Sequence, residues 1–148
     1  MIGVIVDEVY ESPQHYFMIK ALNQLSKTHD CYLFTNKVNK LLVKNEFAIM
    51  QQLEALHHPG ILISTSLFSA QVLANSLTAS KKFFYLWQMD WINMQGLHSK
   101  QLDKILYNEE INIIARSNGH AKALTNICKE PCGIVYNWDA ESLEKVIL

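Results

Sequence analysis

Polar side chains that directly follow short apolar runs are the ones best placed for chemistry, and this sequence has six such places. Asp7 and Glu8 follow residues 2–6, Thr35 and Asn36 close a run that starts at Cys31, and Thr65 and Ser66 follow residues 61–63. Gln88, Asp90 and Trp91 follow residues 82–87, Arg116, Ser117 and His120 follow residues 111–115, and Asn137, Trp138 and Asp139 follow residues 133–136. Two side chains near these places are singled out for proton transfer, one after the aromatic run and one at the start of the first helix. Asp90, between Met89 and Trp91, would act as a general base toward a hydroxyl if partly desolvated, or else cap a turn. His15, two residues after Pro13, would serve as acid, base or ligand to sugar hydroxyls, or else stand on the surface near a helix start. Asp90 and His15 are therefore the catalytic candidates.

The binding candidates are Asp7, Glu8, Ser66, Trp91, Arg116, Ser117, His120 and Asn137. Ser117 is most simply a helix N-cap, and the open backbone N–H groups beside it would accept an anion or a hydroxyl. Trp87, Trp91 and Trp138 would either stack on a sugar ring or close the core. His57 and His58 precede Pro59-Gly60 at the opposite, amino end of a strand and read as turn residues.

The elements that must position these groups follow from the apolar pattern. Residues 2–6 are apolar on both faces, as a strand covered by helices on both sides should be. Further strands are predicted at Cys31–Thr35, 61–63, 82–87, Ile111–Ala115 and 133–136. Helices are predicted from 16 to 25, 46 to 56, 67 to 79, 97 to 107, 118 to 127 and over Ala140–Ile147, with Ser66 as an N-cap and a loop running to Lys44. Strand and helix alternate, so the expectation is an α/β fold: one doubly wound, mostly parallel Rossmann-like sheet of about six strands with helices on both faces, formed by residues 1–148 as one domain. In such sheets ligands bind beyond the carboxyl ends of the strands.

Composition removes several alternatives. Of the 148 residues 49% are hydrophobic and 18% charged, and the formal net charge is -1. The 13 basic side chains are spread along the chain, which gives no electrostatic footprint for nucleic acid or an anionic membrane. No apolar stretch approaches the length of a membrane span, and the first residues lack the basic start of a signal peptide, so a soluble, cytoplasmic protein is expected. Cys31, Cys128 and Cys132 read as free thiols, and no metal site is expected from their spacing. The first strand–helix turn, Asp7-Glu8-Val9-Tyr10-Glu11-Ser12-Pro13, has no glycine cradle for a dinucleotide, and its three carboxylates would repel a phosphate. No P-loop occurs. A receiver domain would need a phosphoacceptor aspartate where this chain has Ser64-Thr65-Ser66. No cofactor is expected.

Ile113-Ile114-Ala115-Arg116-Ser117-Asn118-Gly119-His120, a helix, and then Cys132-Gly133-Ile134-Val135-Tyr136-Asn137-Trp138-Asp139 together resemble the end of the N-terminal, acceptor-side half of GT-B fold glycosyltransferases. In that family an apolar strand runs into a serine that opens a helix, and the next strand ends in an Asn-Gly turn followed by aspartate. The aromatic strand ending Gln88-Met89-Asp90-Trp91 likewise resembles the family's strand before its acceptor-side loop. Trp138 stands where the family commonly has glycine. The family's second domain, which grips the nucleotide-sugar, would begin where this sequence ends. The resemblance thus implies an acceptor-binding domain for a sugar or glycan. It would transfer sugar only with a nucleotide-sugar-binding domain from a partner subunit or a longer chain, or else be a half-domain kept for binding. A homo-oligomer stays open. The rival reading is a non-catalytic Rossmann-like module that docks a protein partner through its tryptophans and Tyr85.

Overall fold

Seven parallel strands form the central sheet, in the spatial order β5 (Ala48–Gln51), β3 (Cys31–Thr35), β1 (Ile2–Ile5), β6 (Ile61–Ser64), β7 (Lys81–Leu86), β8 (Ile111–Ala115) and β9 (Gly133–Ile134). A computed structural model describes the backbone of residues 1–88 and 97–148 and the side chains of 1–88 and 100–148. In chain order the elements are β1 (Ile2–Ile5), β2 (Glu8–Val9), α1 (Pro13–Leu25), β3 (Cys31–Thr35), β4 (Lys37–Val38), β5 (Ala48–Gln51), a 3-10 helix (Gln52–His57), β6 (Ile61–Ser64) and α2 (Leu67–Asn75). They continue with β7 (Lys81–Leu86), α3 (Leu97–Leu106), β8 (Ile111–Ala115), α4 (Asn118–Ile127), β9 (Gly133–Ile134), a 3-10 turn (Tyr136–Trp138) and α5 (Ala140–Ile147). The fold is α/β, doubly wound and Rossmann-like.

Strand alternation sorts the core into two layers. Ile2, Val4, Ile61, Ile63, Phe83 and Tyr85 meet Met18, Leu22 and Leu25 of α1 and Leu143 and Ile147 of α5 on one face. Ile5, Phe34, Leu62, Phe84 and Ile113 meet α2, α3 and α4 through Leu73, Ile105 and Leu124 on the other. Each fully buried aliphatic side chain of this kind contributes about 1.5–3 kcal/mol through removal from water. Helices thus cover both faces, which is why strands such as Ile61–Ser64 are continuously buried.

The sheet order reverses between β1 and β6, where the chain, having built outward through β3 and β5, returns to the other side of β1. This is the switch point at which the two loops diverge and leave a crevice. Beyond it, β2 and β4 pair in parallel as a small second sheet, Glu8 beside Lys37 and Val9 beside Val38.

Several expected elements differ. The predicted 46–56 helix is instead β5 followed by the 3-10 helix, and β5 pairs with β3 from Tyr32 beside Ala48 to Thr35 beside Gln51. Phe47, Ile49, Met50 and Leu53 fit helical spacing, but the open edge of β3 offers main-chain hydrogen bonds, and Ile49 and Met50 pack against opposite core layers. The sheet therefore has seven strands, where about six were expected. The last strand stops at Ile134, and α2 stops at Asn75 because Ser76 leaves the helical region with ψ 125. The polar segments at Glu8–Val9 and Lys37–Val38 each form a short strand where turn and loop were expected.

Among the described residues no helix is long and apolar enough to cross a membrane. The described residues also include no group of His, Cys, Asp and Glu side chains able to hold a metal ion.

Candidate functional site

Because all seven strands run in one direction, the residues that follow them share one rim. Asp7, Asn36, Gln52, Ser66, Arg116 and Asn137 lie just beyond β1, β3, β5, β6, β8 and the short β9. Among the described residues the rim carries two hydrogen-bonded clusters.

The first sits at the switch point and centres on Asp7. Its Oδ2 accepts from the Ser66 hydroxyl at 2.5 Å and its Oδ1 from Gln52 Nε2 at 3.0 Å. Gln52 also donates to the Val6 carbonyl at 3.0 Å and accepts from Asn36 Nδ2 at 2.9 Å. Thr35 Oγ1 lies 3.2 Å from the Asp7 carbonyl. Ser66 has a second task as the N-cap of α2, accepting from the Ser69 N–H at 3.1 Å. Asp7 is therefore tied to the start of a helix, where the helix dipole favours a negative charge. Asp7 lines a groove of about 530 Å³ together with Asn36, Gln52, Leu53, Gln71 and Val72.

The second cluster is held by Arg116. Its guanidinium carbon stands 3.8 Å from the centre of the Trp87 ring, and Asn137 Oδ1 accepts from Nε at 3.3 Å and from Nη2 at 3.0 Å. A guanidinium stacked on an aromatic face and gripped along one edge has a fixed direction. Asn137 reaches it from a left-handed turn, with φ 44 at Asn137 and φ 57 at Trp138. Trp138 is 2% exposed, and its ring meets Tyr85 edge-on at 4.6 Å. The Tyr85 hydroxyl donates to the Val135 carbonyl at 2.6 Å and accepts from the Trp138 N–H at 3.4 Å. Burial pushes the Tyr85 phenol up to about 12, so it stays a proton donor at neutral pH.

Other candidates are placed differently. Ser117 caps α4 by accepting from the His120 N–H at 3.2 Å, while His120 Nδ1 is buried with no hydrogen-bond partner among the described residues. Glu8 is exposed on β2 and accepts from Asn39 Nδ2 at 3.3 Å. His15 is not a surface residue: it is 5% exposed, under the loop before α1, with Nδ1 3.2 Å from the Tyr10 N–H and 3.1 Å from the Tyr10 carbonyl. Tyr85, Trp87 and Trp138 are all buried, which corrects their reading as anchors for a protein partner. Asp90 and Trp91 lie outside the described residues. Gln52 was missed because the expected helix hid it; recognised as the end of a strand beside Asn36, it would have joined the rim residues.

Burial lowers the pKa of His15, against a smaller upward pull from its hydrogen bond to Tyr10. Burial also lowers that of His58, helped by the N-terminal ammonium. Both folded values thus lie below the ordinary 6.5. The folded protein then takes up these two protons less readily than the unfolded chain. Their stabilising effect is complete above the ordinary value and is lost as pH falls below it. Urea unfolding should show a lower midpoint at about pH 5.5 than at about pH 7.5, and His15→Gln combined with His58→Gln should flatten that difference. An unchanged slope in the double variant would show that other groups carry it.

No family model, curated protein or solved structure matches this chain.

Proposed function

We propose that this chain is a glycosyltransferase-like acceptor-binding domain, whose sugar transfer depends on a nucleotide-sugar-binding domain supplied by a partner subunit or by further sequence. The observation that carries this reading is the Arg116–Asn137 clamp: a strand-end arginine held by the asparagine of a left-handed turn that precedes Asp139, the N-cap of α5. This is the segment on which the GT-B resemblance rests, and Trp138 adopts the backbone region that glycine favours at that position of the family's turn. The Asp7 cluster supports the same reading from the switch point, since a carboxylate, two amides and a hydroxyl in one network suit the dense hydroxyls of a sugar. The domain as described supplies no glycine-lined phosphate cradle after β1.

Calorimetric titration tests this directly. The chain alone should bind simple glycosides weakly and leave UDP-glucose unbound, and Arg116→Ala should weaken glycoside binding by about tenfold, the usual effect of losing one charge-assisted contact. If glycosides release no heat while a protein partner binds tightly, the docking reading replaces this one.

A further inference from the structure

Resting on the acceptor reading, we infer that Arg116 receives the carboxylate of an acidic acceptor sugar, a hexuronate, on the open edge of its guanidinium. The use of its N–H groups carries this. A guanidinium offers five N–H donors in a planar fork, and Asn137 Oδ1 takes one from Nε at 3.3 Å and one from Nη2 at 3.0 Å. That occupies the side of the fork. The end of the fork, one N–H of Nη1 beside the second N–H of Nη2, meets no acceptor among the described residues. The charge is unpaired as well. The ion pairs among the described residues are His29–Glu144, Lys40–Glu11 and Lys82–Glu110, and Arg116 joins none of them.

The guanidinium is also held still. One face lies 3.8 Å from the centre of the buried Trp87 ring, and the asparagine that grips it stands in a pair of left-handed residues, φ 44 and φ 57. Strained backbone of this kind is characteristically kept where a binding group must be aimed. A cation fixed on its face and its side, and open at its end, is preorganised for an anion. A carboxylate is the matching anion, because its two oxygens accept two parallel N–H groups in one plane. Arg116 is also the only cation among the described rim residues Asp7, Asn36, Gln52, Ser66, Arg116 and Asn137, so a phosphate dianion would stay half uncompensated. Asp7 does not oppose the carboxylate. Its strand, β1, lies three strand spacings from β8, about 14 Å, which exceeds the screening length of about 8 Å at physiological salt.

Amide-resolved NMR titration of the whole chain separates the outcomes, using methyl β-D-glucuronide, methyl β-D-glucoside, methyl β-D-glucoside 6-phosphate and acetate as probes. The glucuronide should shift the amides of Arg116, Ser117 and Asn137 and bind at least about tenfold more tightly than each of the others. Arg116→Gln should abolish its preference over the glucoside. Asn137→Gly, which suits the left-handed turn but releases the guanidinium, should reduce that preference. A ratio of two affinities measured on one variant does not follow general loosening of the fold. Equal binding of glucuronide and glucoside, an unchanged preference in Arg116→Gln, or phosphate or acetate binding as tightly as the glucuronide would overturn this inference, with the acceptor reading left in place by the glucoside. Silence of all rim amides toward all three sugars would overturn both.

Discussion

Trp138→Ala is expected to lose about 3–5 kcal/mol of folding stability, and Trp138→Gly to be about 1 kcal/mol more stable than Trp138→Ala. The first effect follows from burial: Trp138 is 2% exposed, packs edge-on against Tyr85, and belongs to the core layer formed with α1 and α5. Against a typical stability of about 5–15 kcal/mol, the loss is a third or more of the total. The second effect reverses the usual ranking, in which glycine is the worse replacement. It does so because Trp138 has φ 57, a region in which any side chain bearing a Cβ is strained and glycine is not. Urea denaturation of the two variants measures both effects. Glycine proving less stable than alanine would contradict the left-handed turn, and with it the way Asn137 is aimed at Arg116.

Gly3→Val is expected to cost about 3 kcal/mol, at the upper end of what overpacking a core does. Gly3 lies in the middle of β1, and a Cβ there would stand 2.7 Å from Phe34 Cε2 and 2.8 Å from Leu62 Cδ2. Phe34 is 2% exposed and Leu62 0%, so neither side chain can withdraw into solvent. The strain falls on the strand that carries Asp7 to the rim, and ligand binding should weaken together with stability. Gly119→Ala is the control: the nearest atom to its added Cβ is Ser117 Oγ at 3.8 Å, within the first turn of α4. That change should be neutral or stabilise by up to about 1 kcal/mol. Equal urea midpoints for Gly3→Val and the parent chain would contradict the tight contact between β1, β3 and β6.

The alternation of strand and helix was legible because the central strands are apolar on both faces. Ile61-Leu62-Ile63 and Ile111–Ala115 cannot be mistaken for one-sided amphipathic segments, and Ser66 and Ser117 announced the helices they cap. The edges of the sheet were less legible. Residues 48–51 carry too few positions to separate a period of two from one of 3.6, and their pairing with β3 is a tertiary choice that local spacing does not encode. That misassignment concealed Gln52, the residue that joins Asp7 to Asn36.

At the site, the rim membership of Asp7, Ser66, Arg116 and Asn137 followed from strand direction alone. Their pairing did not, since Asp7 and Ser66 are 59 positions apart and Arg116 and Asn137 are 21 apart. His15 looked solvent-facing after Ser12 and Pro13, but the main chain of Tyr10 folds back over it. The tryptophans near strand ends admitted both stacking on a ligand and packing in the core. For Trp87 and Trp138 the core reading holds, with the outer face of Trp87 given to Arg116.

Ligand chemistry at the carboxyl rim of this sheet can be read out by an amide-resolved titration of the chain with a simple glycoside. Perturbations should begin at Asp7, Asn36 and Ser66 and reach no farther than Arg116 and Asn137. Perturbations centred instead on His58, Lys82 and Glu110, at the amino end of the strands, would contradict it.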